Sequence, residues 1–390
     1  MPESFDVAII GAGPAGGSAA VHAAERGLSA VILEEHEVVG EPVHCGECLS
    51  QTAMDRMGWK FPSEVVSFPV KGVRTIFPNS ESRLLTEPGV VLEKQKWEQF
   101  IVNKAQDKGA ELRLGHRVKG LAREKGVWKI ESSKGDVFGK VLMDGSGVQS
   151  VSNALLKLNK RFSAVVGIQY EMEDIPRDGW LDFYLWPHLA AQGYLWMIPK
   201  SDGRANVGLV THDNNQAKAC LNQFVAQMGW KDKPIVKTFG GLIPSSGAME
   251  KTVSDGLLLI GDAAGFTSPL FEGGSQLGLM SGKLAALTAK EGLDASDVSA
   301  GFLKRYETKW KKEFPPYEKL IKGKNQLYSL TENELNEVAR VLPREMGGTN
   351  YLDYFKIGIN ITVSNPQLWS RGVMRVFEAF KYSRSRFYGW

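Results

Sequence analysis

The spacing of apolar residues changes several times along this chain, and each change predicts an element. Val7, Ala8, Ile9 and Ile10 form an unbroken apolar run, as in a parallel strand buried on both faces. A glycine turn, Gly11-Ala12-Gly13-Pro14-Ala15-Gly16, follows, and Ala19, Ala20, Ala23 and Ala24 then predict a helix of small residues. Residues 29–34 predict a second strand that ends on a carboxylate, Glu34. Residues 35–50 are polar and punctuated by glycine and proline, which predicts a long loop. Residues 52–59 suit a short helix. From Val65 to Val91 apolar and polar positions alternate, with turn signals at Pro78-Asn79 and Pro88-Gly89. Trp97, Phe100, Ile101 and Ala105 then place one apolar stripe on a helix over 94–108.

Strands are predicted over 111–123, 127–132 and 137–143, and an aromatic, strand-rich stretch over 163–210. A helix over 217–228 and a strand over 235–243 come next. Residues 257–260 repeat the buried-strand pattern of the start and run into Gly261-Asp262. A helix of small residues is expected over 273–289, and everything beyond about residue 299 reads as helical and more basic. The fold class is therefore α/β. A Rossmann-like domain built from 1–70, 94–160 and 255–300 is split by a β-rich substrate domain of 71–93 and 161–254. Residues 301–390 form a helical C-terminal region.

Composition adds little to this outline. The 390 residues include 42 glycines, which suits several close backbone approaches, and a net charge of +3 gives no reason to expect nucleic acid as a partner. Three cysteines are too few for a disulfide framework or a four-thiolate zinc site. The histidines are scattered without metal-ligand spacing, so no metal is expected. With neither a signal-peptide pattern at the start nor an apolar run long enough to span a bilayer, the expected location is the cytoplasm.

The chemistry begins at the glycine turn. Gly11 permits the turn, Gly13 lets the backbone approach a pyrophosphate, and Gly16 lets the helix lie against the strand, with Ala15 beside it. The free N–H groups of the helix then face the phosphates, and Glu34 stands where an acid accepts the hydroxyls of an adenosine ribose. This pattern suits NAD and FAD alike. The choice comes from Asp262, a second acid at a strand end far along the chain, followed by the glycine-rich bend of residues 269–274. An acid there fits the ribityl hydroxyls of FAD, while a helix start at Gly274 and Ser275 favours the negative charge of a reduced flavin. Asp144-Gly145 is a weaker signal that suits a hairpin turn equally well.

Together, residues 11–16, Glu34, Asp144-Gly145 and Gly261-Asp262 resemble the FAD superfamily that includes p-hydroxybenzoate hydroxylase. Pro42-Val43-His44-Cys45-Gly46-Glu47 looks like the cysteine loop of the geranylgeranyl reductase family. Tyr194-Leu195-Trp196-Met197-Ile198-Pro199-Lys200 looks like that family's substrate-cavity motif. The likeness covers about the first 300 residues. It departs from the family at Ala191 and Ile198, at Glu272 and Ser275 in a run that is otherwise Gly-Gly-Gly-Ile, and at Lys94, where an arginine often reaches the cofactor.

The resemblance implies an FAD-dependent reductase that saturates C=C bonds of geranylgeranyl chains, foremost those of archaeal-type ether-lipid precursors. Reduction of a chlorophyll or menaquinone prenyl chain is the alternative within the family. Aromatic monooxygenase or halogenase chemistry, or an electron-transfer subunit, lies outside it. It also implies that Cys45 and Gly46 lie near the flavin and that Tyr194 and Trp196 line the substrate cavity. These two aromatics share one strand face; without the resemblance they read as ordinary sheet core. Cys45 is expected to help donate the proton or to hold the polar end of the cavity, with His44 as the cation that activates its thiol, while Cys45 and Cys48 have dithiol spacing. The electron donor is NAD(P)H or ferredoxin. Basic residues over 304–324 and the stripe Leu368, Trp369, Val373, Met374, Val376, Phe377 and Phe380 suit either peripheral membrane contact or an ordinary docking helix.

Overall fold

The computed structural model describes residues 4–346 and 351–390, so residues 347–350 of the expected helical region lie outside the described residues. Strands are numbered β1–β18 and helices α1–α13 along the chain.

The first sheet has a parallel centre. β1 (Ser4–Ile10) lies between β2 (Ala30–Leu33) and the long β11 (Gly135–Asp144); β8 (Glu111–Arg113) flanks β2 and β18 (Leu257–Leu259) flanks β11. The short β17 (Val253–Ser254) closes one edge, and β9 (Val118–Glu124) and β10 (Val127–Ser132) add an antiparallel extension to β11. Val7, Ala8 and Ile9 have no solvent exposure, as an all-apolar parallel strand requires. Asp144 ends β11 alongside Ile10 and starts no hairpin. Its buried carboxylate accepts from the backbone N–H and hydroxyl groups of both Ser146 and Ser152.

The seven-stranded second sheet runs β16 (Ile235–Pro244), β12 (Ala164–Met172), β15 (Ala205–Thr211), β14 (Tyr194–Pro199), β13 (Trp180–Tyr184), β5 (Gly72–Ile76), β6 (Ser82–Leu85). The β13–β5 pair is parallel, which joins residues 72–76 to the later segment. β14 alternates as a strand with two buried faces must. Tyr194, Trp196 and Ile198 face the first sheet's side of the core, while Leu195 and Met197 pack in a separate cluster with α5 (Ala217–Gln227). Residues 89–92, expected in this unit, pair elsewhere: β7 (Gly89–Leu92) sits between β3 (Cys48–Ser50) and β4 (Val66–Val70) in a three-stranded sheet. β3 also shortens the expected loop.

α1 (Pro14–Ala24) packs on the first sheet, and α3 (Lys94–Asp107) and α6 (Ser275–Asp294) pack on α1. Small residues set the α1–α6 distance. A Cβ on Gly282 would overlap Ala15 O and come within 2.8 Å of Ala19 N, and the Ser18 hydroxyl donates to Leu279 O at 2.7 Å. Short helices α2 (Gln51–Met57) and α4 (Val151–Leu156) complete this part.

The C-terminal region comprises α7 (Ala300–Glu313), α8 (Tyr317–Leu327), α9 (Glu332–Val341), α10 (Tyr351–Ser364), α11 (Gln367–Ser370), α12 (Val373–Tyr382) and α13 (Ser385–Tyr388). Here most of the apolar stripe is used for docking within the molecule. Leu368, Val373, Val376 and Phe377 are buried, and α12 docks on α8 so closely that a Cβ on Gly323 would overlap Ala379 Cβ. Several of the basic residues are paired: Lys319 with Glu378, Lys322 with Glu318, Lys309 with Glu291 and Arg371 with Glu334. Trp369 and Met374 of the stripe stay exposed, as do Ile359 and Val363 of α10.

Candidate functional site

Two helix N-termini open on one cleft. α1 begins with Gly13 as its N-cap and α6 with Gly274, and neither has a side-chain cap, whereas Ser50, Ser299 and Thr331 cap α2, α7 and α9. The first N–H groups of a helix need acceptors, and the macrodipole adds positive potential there. A cavity of about 420 Å³ runs past both ends.

The glycine turn is built as its spacing predicts. Gly11 has φ +90° and hydrogen-bonds through its N–H to Leu33 O at 2.8 Å. A Cβ on Gly16 would overlap Gly11 O, so Gly16 packs behind the cleft, while one on Gly13 would meet no atom within 4 Å. Glu34 is buried at the end of β2. Its Oε2 accepts from Ala12 N at 2.8 Å, and its Oε1 from His36 N at 3.0 Å. Asp262 sits in a short 3-10 turn, Gly261–Ala264, and accepts from the Thr267 hydroxyl at 3.1 Å. Burial pushes its carboxyl up against the pull of Thr267 and Lys94. Gly11, Gly13, Ala15, Glu34, Cys45, Gly46, Lys94, Trp196, Asp262, Gly274 and Ser275 all line the cleft. Uncapped helix ends, a bare glycine and two acids far apart in the chain fit a dinucleotide with sugar hydroxyls on both sides of its phosphates.

Opposite these groups lies the loop carrying Cys45 and Gly46. Gln169 of β12 ties it to β14, donating to Cys45 O at 2.7 Å and accepting from Trp196 Nε1 at 2.9 Å. Gly208 makes room for the Trp196 ring: a Cβ there would reach within 2.5 Å of it. Glu47 anchors the loop from beneath. Its buried carboxylate accepts from Lys94 N at 3.0 Å, Lys200 Nζ at 2.7 Å and Asn206 Nδ2 at 2.6 Å. Lys200 also lies 3.2 Å from Glu93.

Two expectations about this loop change. His44 Nδ1 donates to Gly240 O at 2.7 Å, so its ring is tied to β16; against the downward pull of burial, Glu98 and then Cys45 raise the amine of Lys94. Lys94 itself is buried, 3.0 Å from Glu98 and over the Trp97 ring. Cys45 and Cys48 are free thiols, and burial, then the neighbouring Cys45, pushes the Cys48 thiol well up, which disfavours a reactive thiolate.

Tyr194 does not line this cleft. Its ring packs edge-on against Phe183 and Phe271 at 5.5 Å, and its hydroxyl donates to Phe271 O at 2.8 Å. Beyond that wall is a second, apolar cavity lined by Val73, Leu85, Phe183, Phe271, Leu342, Ile357, Phe377, Phe380 and Tyr388, among others. Phe271 lines this one and the next residue, Glu272, lines the cleft. Sequence reasoning noted Glu272 only as a departure and passed over Glu47, Gln169, Lys200 and Asn206. An acid beside a cysteine and a lysine ending an apolar strand were the available signals.

Comparison with known proteins agrees with this geometry. Residues 6–153 match a family described as FAD dependent oxidoreductase, and residues 164–243 match the geranylgeranyl reductase catalytic domain. The chain is 32% identical to digeranylgeranylglycerophospholipid reductase 2 of Methanopyrus kandleri, over 87% of this chain and 91% of that protein. It is 31% identical to the digeranylgeranylglycerophospholipid reductase of Methanocaldococcus jannaschii, over 91% and 95%. A crystal structure described as geranylgeranyl bacteriochlorophyll reductase-like, from Thermoplasma acidophilum, superposes with a TM-score of 0.87 at 26% identity, covering 96% of this chain and 99% of that one. With a two-acid dinucleotide cleft backed by an aromatic β-sheet, and with relatives matching along almost their whole length, this chain is an FAD-dependent oxidoreductase and belongs to the geranylgeranyl reductase family.

Proposed function

We propose that this enzyme saturates isolated C=C bonds in the geranylgeranyl chains of ether-lipid precursors. The observation that carries the reading is the pair of adjoining cavities. An apolar, aromatic-walled one of about 70 Å³ admits a short stretch of a prenyl chain, and the consecutive residues Phe271 and Glu272 stand one in each lining. FAD, once reduced, supplies the hydride. The chain's own residues would hold it: Glu34 on the adenosine ribose, Gly11, Gly13, Ala15 and the α1 terminus on the pyrophosphate, with Gly16 keeping that terminus in place. Asp262 would take the ribityl hydroxyls, and Gly274, Ser275 and the α6 terminus would favour the negative charge of the reduced ring. Cys45, Gly46 and Lys94 form the facing floor. Trp196, in the cleft lining, presents an aromatic face to the positive charge that develops when an unconjugated alkene is reduced, and Tyr194 backs the wall behind it through Phe183 and Phe271.

The electrons come from NAD(P)H as a hydride, or from ferredoxin in two one-electron steps. The substrate reaches the enzyme from a bilayer by peripheral contact. Among the described residues no helix is long and apolar enough to cross a membrane, and α10 and α12 send Ile357, Phe377 and Phe380 into the apolar cavity while exposing Ile359, Val363 and Met374. The test is mass spectrometry of a geranylgeranyl lipid incubated without oxygen with the dithionite-reduced, FAD-loaded protein. Mass increases in steps of two hydrogens, with flavin reoxidation, support the reading. No mass change, or rapid oxygen consumption with hydroxylation of an aromatic compound, overturns it.

A further inference from the structure

Glu272 is an acid in a place where packing asks for none. It sits between Phe271 and Gly273, just before the N-terminus of α6, and its backbone is held at φ 49°, a conformation that L-residues seldom adopt. Residue 272 is part of the cofactor-cleft lining, and its Oε2 is shielded from solvent with no hydrogen-bond partner. A buried carboxyl oxygen left unpartnered is costly and marks either strain or function.

The groups facing Glu272 come from three elements. Tyr194 is on β14, Lys324 is on α8 with Tyr328 capping its C-terminal end, and Tyr388 is on α13. Lys324 Nζ already donates to Ser245 O at 2.9 Å, and burial drives its amine down. Burial pushes the Glu272 carboxyl up to about 8, outweighing the opposing pull of Lys324 and Tyr194. Burial also raises Tyr194 and Tyr328 well above the ordinary phenol range. Near neutral pH this pocket therefore contains one carboxylic acid that keeps its proton and can release it, between phenols that hold theirs far more tightly.

An isolated alkene has no carbonyl to accept negative charge, so a proton must reach one carbon before or together with the hydride at the other. We propose that Glu272 is the acid that protonates the prenyl double bond, acting from the boundary between the two cavities. This rests on the prenyl-reductase reading above. The Glu272 O–H bond breaks and a C–H bond forms at one alkene carbon. The other carbon takes the hydride, whose electron pair comes from the reduced cofactor. The carboxylate left behind recovers its proton from water before the next turnover.

The experiment compares wild type with Glu272→Gln, which keeps the shape and removes the acidic proton. Anaerobic single-turnover reduction of a geranylgeranyl lipid by dithionite-reduced protein is followed with pH. Independently, infrared spectroscopy of the oxidised protein without lipid follows the carboxylic-acid C=O stretch. The expected result is a fall of about 10²–10⁴-fold in Glu272→Gln with FAD still bound. Wild type should also show a carboxylic-acid band, absent from the variant, that disappears as pH rises through about 8. An active wild type with an equally active variant overturns the proposal and leaves the prenyl-reductase reading intact. A wild type that reduces no prenyl lipid overturns both. If the variant fails to fold, the wild-type spectrum decides: no carboxyl titrating between neutral and alkaline pH overturns the role.

Discussion

Replacing Glu47 with glutamine should destabilise the protein far more than its isosteric shape suggests. Three donors converge on this carboxylate: Lys94 N–H at 3.0 Å on one oxygen, Lys200 Nζ at 2.7 Å and Asn206 Nδ2 at 2.6 Å on the other. An amide offers one acceptor atom and one donor atom. Whichever way it turns, an N–H group faces either Lys94 N–H or the Lys200–Asn206 pair. Glu47 is 3% exposed and Lys200 2%, so water cannot repair the mismatch. Breaking a buried ion pair from one side costs about 3–5 kcal/mol. Lys200 keeps Glu93 at 3.2 Å, which places Glu47→Gln near the lower end, about 3 kcal/mol. Lys200→Met strands Glu47 among neighbouring acids and belongs near the upper end, about 5 kcal/mol. Urea unfolding of the FAD-free protein, compared at equal slope, measures both. The double variant should show a coupling of at least about 1 kcal/mol. Losses below about 1 kcal/mol in both single variants would refute the reasoning.

Four further outcomes are expected. Gly16→Ala places a Cβ on Gly11 O, so the protein should purify colourless and fail to take up FAD; a yellow variant would show that the turn can shift. Glu34→Gln should weaken FAD binding roughly 10- to 100-fold in a flavin-fluorescence titration, the scale of about 1.5–3 kcal/mol for a hydrogen bond to a charged group; an unchanged Kd removes Glu34 from the site. His22 is buried, stacked on Trp59, and burial lowers its imidazole to about 4. The unfolded chain therefore takes up that proton first, and wild type should lose stability as pH falls from about 6.5 towards 4. His22→Gln should flatten that part of the pH–Tm curve, and an identical curve would count against it. Cys45→Ser should keep FAD and slow lipid reduction less than Glu272→Gln does; the reverse order would move the proton to the thiol.

The cofactor cleft was legible because its signals are local. The glycine turn, the strand before it and Glu34 all lie within about thirty residues, and Asp262 repeats the strand-then-acid pattern. The Glu47 anchor was not legible, because its partners Lys200 and Asn206 are 153 and 159 residues away. Glu272 could be seen to break a pattern. Its surroundings, however, come from β14, α8 and α13, and no spacing announces that convergence. The stripe of α12 suited a bilayer and a neighbouring helix equally, and the close docking at Gly323 on α8 could not be read from the stripe itself. Asp144-Gly145 could suit a hairpin only while the parallel pairing of β11 with β1 was unknown.

The cradle's two halves, the turn after β1 and the start of α6, are more than 250 residues apart along the polypeptide. During synthesis the ribosome therefore releases a phosphate-binding turn long before the segment that completes its grip. A nascent chain stopped short of α6 has nothing to close over a flavin. Saturating ligand favours only the finished molecule, so cellular riboflavin supply should govern how much of this enzyme survives quality control after translation, not how fast it is made.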